Sequence, residues 1–178
     1  GYGARNFADG LDAVYYVAQE NYPVEFAEME FGIEIESFSF HSDSGGPGKY
    51  RGGCGITRDI RVLLDEMVLG IRIDNCAYPA FGVNGGLNGA GGQVLINPDT
   101  DSPKELKPLS DGNILKRGDL IRIITPGGGG WGSPYERCPL NVLNDVMDGK
   151  VSKESALNDY GVVLQRNDRE INEPETIK

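Results

Sequence analysis

Apolar and polar residues alternate in short runs along this chain, and those runs predict most of its elements. Ile33 and Ile35 fall on one side of an extended segment and Glu34 and Glu36 on the other, with a change of phase near Ser37. Ile33 to Phe40 therefore predicts a half-buried strand carrying a bulge. Ile56 to Leu63 and Met67 to Asp74 are two further β-like runs joined by Asp65-Glu66. Gln93 to Ile96 makes a short strand after the glycine-rich loop Tyr78 to Gly92, and Pro98 to Pro108 is polar and rich in turn formers. Ile114 and Leu115 lead into a Lys116-Arg117-Gly118-Asp119 turn, and Leu120 to Ile124 is the last strand. Gly1 to Gly10 reads as loop, and Pro23 to Met29 as a short helix with the proline in its first turn. Leu11 to Glu20 fits a helix through Leu11, Val14, Tyr15 and Ala18, and equally a strand through Val14-Tyr15-Tyr16-Val17.

Past residue 133 the period changes. Pro139 opens a helix with Leu140, Leu143, Val146 and Met147 on one face, and Gly149 closes it. Ser152 caps a second helix bearing Ala156, Leu157 and Tyr160, closed by Gly161. The expected fold is mostly β within the α+β class. A glycine-rich β body covers residues 1–133, a small C-terminal helical hairpin packed on it covers 134–165, and a loose polar tail covers 166–178.

Glycine then changes the picture. Six of the thirteen residues from Asp43 to Gly55 are glycine, and Lys49, Tyr50 and Arg51 are the large side chains among them. Such density suits a chain that needs positive φ or close approach by another group. Two readings stand: a tightly wound connection anchored by Arg51, or a rigid platform that holds Arg51 against an anion or carbonyl group. Gly127-x-Gly129-x-x-Gly132 matches the dinucleotide-binding fingerprint letter for letter, but Ser133-Pro134 follows where a helix must begin, and no βαβ unit surrounds it. That excludes a Rossmann site and leaves open a backbone N–H nest for another anion. Gly48-Lys49 is no phosphate loop, because Tyr50 stands where Ser or Thr must bind magnesium.

The 178 residues suffice for one domain with a proper core. A net charge of -10 argues against nucleic acid and acidic membrane surfaces as partners. The three cysteines, Cys54, Cys76 and Cys138, are widely spaced, which predicts a reducing, cytoplasmic setting rather than a disulfide framework. Ile60 to Ile73 is interrupted by Arg61, Asp65, Glu66 and Arg72, so no membrane span is expected. The start at Gly1 without methionine predicts a fragment or a processed subunit.

Chemistry-bearing residues are sparse. His41, the sole histidine, and Asp43 would share one side of an extended strand, where they could hold a metal or form an acid–base pair; they are too few for a closed metal site, and a surface or hydrogen-bonded structural histidine is the plainer reading. Arg72 and Asp74 predict a structural ion pair, and Asp9 and Asp12 read as helix caps. No Ser/His/Asp arrangement, G-x-S-x-G elbow or H-E-x-x-H is present. The candidates are Arg51, His41 and Asp43 for catalysis, and Gly52, Gly53, Gly128 and Gly129 for substrate or anion contact. No metal is expected in this chain, and no self-sufficient active site.

An ordered set of motifs adds a resemblance. Gly3-Ala4-Arg5 with Asp9-Gly10, Pro23-Val24-Glu25, Asp43-Ser44-Gly45-Gly46-x-Gly48-x-Tyr50-Arg51-Gly52-Gly53-x-Gly55, Phe81-Gly82, Gly85-Gly86, Leu115-x-x-Gly118-Asp119 and Thr125-Pro126 through Trp131-Gly132 follow one another in order. Pro134, Glu136-Arg137, Val142-Leu143 and Tyr160-Gly161-Val162 close the series. Together they resemble the C-terminal part of the hydantoinase B/5-oxoprolinase family. The resemblance implies a large ATP-dependent complex. In it a hydantoinase A-type partner binds ATP and magnesium and phosphorylates a substrate carbonyl oxygen, and the B-type subunit shapes the site where the activated species reacts. It implies hydrolysis of a cyclic amide (hydantoin, 5-oxoproline or lactam) or, alternatively, carboxylation of a ketone of the acetone or acetophenone type. A third alternative is a non-catalytic structural subunit of such a complex. Arg51 and the two glycine blocks would form walls or subunit contacts near the reaction chamber. The remainder of the B-type subunit, with any divalent metal, would lie in the N-terminal portion absent from this sequence.

Overall fold

The computed structural model describes residues 1–14, 22–165, 170–172 and 176. Helix α1 (Val24–Phe31) follows Pro23, whose ring fixes the entry φ, and ends at Gly32 in the left-handed conformation. Seven strands follow: β1 (Ile33–Phe40), β2 (Ile56–Val62), β3 (Glu66–Arg72), β4 (Gln93–Ile96), β5 (Lys104–Glu105), β6 (Leu109–Lys116) and β7 (Leu120–Ile124). A five-stranded sheet runs β1-β2-β7-β4-β5, and β3 pairs with β6 in a separate ribbon. All these pairings are antiparallel. The register of β1 against β2 slips between Ile35 and Ser37, where the alternation changes phase.

Strands adjacent in sequence part company in space. β2 and β3 enter different sheets, as do β6 and β7. The turn at residues 116–119 sends the chain across: Asp119 accepts the Lys116 amide at 2.8 Å, and Gly118 supplies a positive φ. The ribbon covers one face of the larger sheet, so Val62, Val94, Ile96 and Ile121 pack with Ile71 of β3 and Leu115 of β6.

A second apolar cluster joins helix α2 (Pro139–Met147) to helix α3 (Lys153–Asn158) through Val142, Val151, Ala156, Tyr160 and Val162. The Ser152 side chain accepts the Ser155 amide as a cap, and Gly149 and Gly161 take positive φ beyond the helices. The buried face of α2 differs from the expected one. Leu140 and Met147 are exposed, while Val142, Leu143 and Asp145 are buried, because two arginines draw the Asp145 carboxylate inward. Leu157 is exposed as well. Of the ambiguous Leu11–Glu20 segment only Leu11 to Val14 is described, and it is neither helix nor strand; the remainder lies outside the described residues. Within the tail, Ile171 packs on the second cluster and the Asn172 amide donates to Val163.

Candidate functional site

Five glycine-bearing stretches lie side by side: the N-terminal residues, the two halves of the Asp43–Gly55 segment, the loop around residues 80–90, and Thr125 to Gly132. Their backbones bond laterally. The Gly128 amide donates to Gly53, Gly46 to Gly128, Ala4 to Gly129 and Gly130 to Leu87, all at 2.8–2.9 Å. Close approach, not dihedral freedom, requires the glycines here. A Cβ on Gly52 would stand 1.9 Å from the Gly128 oxygen, and on Gly128 or Gly129 it would stand 2.0 Å from the Tyr2 or Phe81 oxygen. Within Gly127 to Gly132 only Gly132 has a positive φ. The amides of Gly52, Gly53 and Gly128 are taken by the carbonyls of Gly46, Tyr2 and Gly53 respectively. They point into the bundle.

Tyr50 and Trp131 exchange backbone hydrogen bonds at 3.0 Å and pair their rings at 6.0 Å between centroids, which closes the end of the bundle. Arg51, next along the chain, turns inward with its side chain 3% exposed. Its Nη1 lies 2.9 Å from Asp12 and its Nε 3.3 Å from Asp145. Arg137, just beyond the 3-10 turn Pro134–Glu136, binds the other Asp145 oxygen at 2.6 Å and grips Asp9 with both Nη atoms at 2.7 and 2.8 Å. Asp9 also accepts the Arg51 amide and Asp12 the Cys54 amide, each at 2.8 Å. Lys150, 3.4 Å from Asp12, completes the cluster. Three cations thus face three carboxylates, drawn from the N-terminal loop, the glycine segment and the helical region.

Burial alone would raise the Asp9 and Asp12 carboxyls, but the guanidinium groups of Arg137 and Arg51 outweigh it and hold both below the usual carboxylate range. Burial alone would likewise lower Arg51 and Arg137, and their carboxylate partners reverse that shift. The Tyr160 hydroxyl, buried beside this cluster, is pushed upward by desolvation. The guanidinium of Arg51 is therefore engaged by internal carboxylates.

The other sequence candidates stand apart. β1 ends at Phe40 and the chain turns at Ser42–Asp43, with Asp43 at φ 60°, so His41 and Asp43 do not share a strand face. Asp43 instead accepts the Ser152 amide at 2.7 Å and ties the start of α3 to the glycine segment. His41 is half-buried, and desolvation lowers its pKa against opposing contributions from the Thr125 backbone and Asp43. Arg72 pairs with Asp111 of β6 at 2.7 Å rather than with Asp74, because β3 ends at Arg72. Asp9 and Asp12 cap no helix; they are the counter-ions of the buried arginines. Sequence reasoning misses Asp145 and Arg137 as charge partners, although a carboxylate beside Val142 and Val146 at helical spacing is the available signal.

Among the described residues, no three of His, Cys, Asp or Glu gather in a way that could hold a metal ion. None of the described helices is long and apolar enough to cross a membrane. What the arrangement offers chemically is a rigid, internally neutralised frame.

Comparison with known proteins fits that frame. An uncharacterized protein of Methanocaldococcus jannaschii is 45% identical over 83% of this chain and 26% of its own length. A putative D-/L-hydantoinase B-type subunit from a Pseudomonas species is 33% identical over 92% of this chain and 28% of its own length. The solved structure of an ATP-dependent caprolactamase from Pseudomonas jessenii superposes with a TM-score of 0.82 at 24% identity, covering 99% of this chain and 31% of that one. The chain thus spans between a quarter and a third of the proteins it matches. The model of the hydantoinase B/oxoprolinase family matches residues 1–134, the stretch that holds both glycine blocks, Asp9, Asp12 and Arg51, and the chain belongs to that family.

Proposed function

We propose that this chain is the glycine-rich portion of a B-type subunit in an ATP-dependent, multi-subunit enzyme that hydrolyses a cyclic amide. A hydantoinase A-type partner binds ATP with magnesium and transfers phosphate to the amide carbonyl oxygen. The activated carbon then accepts water, the phosphate leaves as inorganic phosphate, and the ring C–N bond breaks as its nitrogen takes up a proton. The remainder of the B-type subunit, with any divalent metal it holds, supplies the reacting groups, and the complex works in the cytoplasm. This chain contributes the wall: two glycine blocks locked edge to edge and held by the Asp12–Arg51–Asp145–Arg137–Asp9 network. The observation that carries the reading is the sealed state of Arg51, the strongest catalytic candidate, inside a chain whose relatives are three to four times longer. The free cysteines Cys54, Cys76 and Cys138 support a reducing compartment.

The test is reconstitution of the chain with the remainder of a B-type subunit and an A-type partner, followed by ATP turnover on hydantoin, 5-oxoproline and caprolactam. Substrate-dependent turnover that requires this chain and no bicarbonate supports the reading. A bicarbonate requirement would replace it with ketone carboxylation. Turnover that persists without the chain would leave it a non-catalytic structural subunit.

A further inference from the structure

On its three central strands, one face of the larger sheet is aliphatic except at Arg58. A row runs across it from Phe38 of β1 to Arg58 of β2, Ile123 of β7 and Val94 of β4, each opposite the next in register. Ile56, Ile60 and Val62 share that face with Arg58 by strand alternation, and Val62 and Val94 lie in the main core. An arginine in such a row is out of place unless something anionic meets it.

A cavity of about 690 Å³ opens at this point. Its walls include Ile56, Leu69, Ile71, Val94 and Ile123, with Arg58 among them. The Arg58 guanidinium lies 5.4 Å from the centroid of the Phe38 ring, and its Nε is buried with no hydrogen-bond partner among the described residues. Arg61, Arg72, Arg117, Arg122 and both arginines of the network each hold a carboxylate. Arg72, also in the cavity wall, is taken by Asp111, and the Gly1 amino group there donates to the Pro126 carbonyl at 2.8 Å. Asp74 also lines the cavity but makes no bond to Arg58 among the described residues. Arg58 is half-buried, and desolvation pulls it below the ordinary arginine pKa with no carboxylate opposing it.

We propose that this cavity is a binding site for a small carboxylate with an aliphatic body, its two oxygens on the Arg58 fork and its hydrocarbon against the Ile56, Leu69, Ile71 and Ile123 walls. A planar guanidinium matches two in-plane oxygens, and one fork beside aliphatic walls suits a monoanion with a hydrocarbon body better than phosphate, which has no apolar part to bury. The volume is typical of small-ligand sites. This assignment rests on the cavity and not on the proposed cyclic-amide hydrolysis.

Calorimetric and NMR titration of the 178-residue chain with hexanoate, hexanamide and inorganic phosphate tests it. Saturable hexanoate binding is expected, with hexanamide and phosphate weaker by roughly tenfold or more. Arg58→Met should abolish the preference for hexanoate over hexanamide, and Arg58→Lys should retain part of it. Equal binding of hexanoate and hexanamide, or phosphate binding as tight as hexanoate, would each overturn the proposal. So would an absence of hexanoate binding, which would assign the counter-ion to a protein side chain from another part of the assembly.

Discussion

Arg51 and Arg137 share a single carboxylate: Asp145 gives one oxygen to the Arg51 Nε at 3.3 Å and the other to the Arg137 Nη2 at 2.6 Å. That side chain fastens helix α2 to Arg51 of the glycine segment and braces Arg137, which in turn grips Asp9 of the N-terminal loop. It also explains why α2 turns Asp145 inward and leaves Leu140 and Met147 in solvent.

Asp145→Asn leaves two buried guanidinium groups facing only Asp9, Asp12 and a neutral amide. We expect a loss of about 3 kcal/mol or more in unfolding free energy, the scale for breaking a buried ion pair on one side. Chemical denaturation checks it, and a loss below about 1 kcal/mol would mean that the pairs contribute no more than exposed ones.

The same network gives an acid limb. Asp9 and Asp12 titrate below their ordinary value of 3.8, so their stabilisation is fully present above that pH and is lost as pH falls through the lower folded values. Melting temperature followed from pH 6 to pH 2 should drop below about pH 4, and Asp12→Asn should flatten that drop while lowering the plateau. An unchanged acid limb in Asp12→Asn would sever the link to this carboxylate.

His41 adds a separate step. It is the sole histidine, and burial lowers its folded pKa from 6.5, so the fold favours the neutral ring. Stability from this residue is present above pH 6.5 and declines as pH falls toward the folded value. His41→Gln should remove the slope in that window. NMR titration of the imidazole in the folded chain must give a value below 6.5, and a higher one would reverse the sign.

The glycine blocks separate two kinds of requirement. Gly128→Ala drives a Cβ to within 2.0 Å of the Tyr2 oxygen and should cost about 3 kcal/mol or prevent folding. Gly149→Ala meets nothing within 4 Å but holds a φ of 73°, and should cost about 1 kcal/mol. Comparable costs at the two positions would show that the bundle relaxes around a methyl group.

These contrasts also mark what the sequence makes legible. The bulge in β1 is readable because alternation reports which face each residue takes, and the phase slip at Ser37 changes the face. Pro139, Ser152, Gly149 and Gly161 announce the two helices because caps act locally. Pairing partners are not readable: period two assigns β2 and β3 their faces but says nothing of which sheet each joins. The role of Arg51 is hidden for the same reason. Its counter-ions Asp12 and Asp145 lie far from it on either side in sequence, and no local pattern brings them together. Glycine density signals close approach correctly at residues 127–130, but only the neighbouring backbones reveal that positive φ plays no part there.

The central claim is that Arg51 holds the frame and does not touch the reacting atoms. Substrate-dependent ATP turnover per assembled complex, measured for Arg51→Lys in the reconstituted enzyme, tests it most directly. The account predicts fewer or less stable complexes, because lysine lacks the fork that spans Asp12 and Asp145, with turnover per intact complex nearly unchanged. Full assembly with collapsed turnover would contradict it.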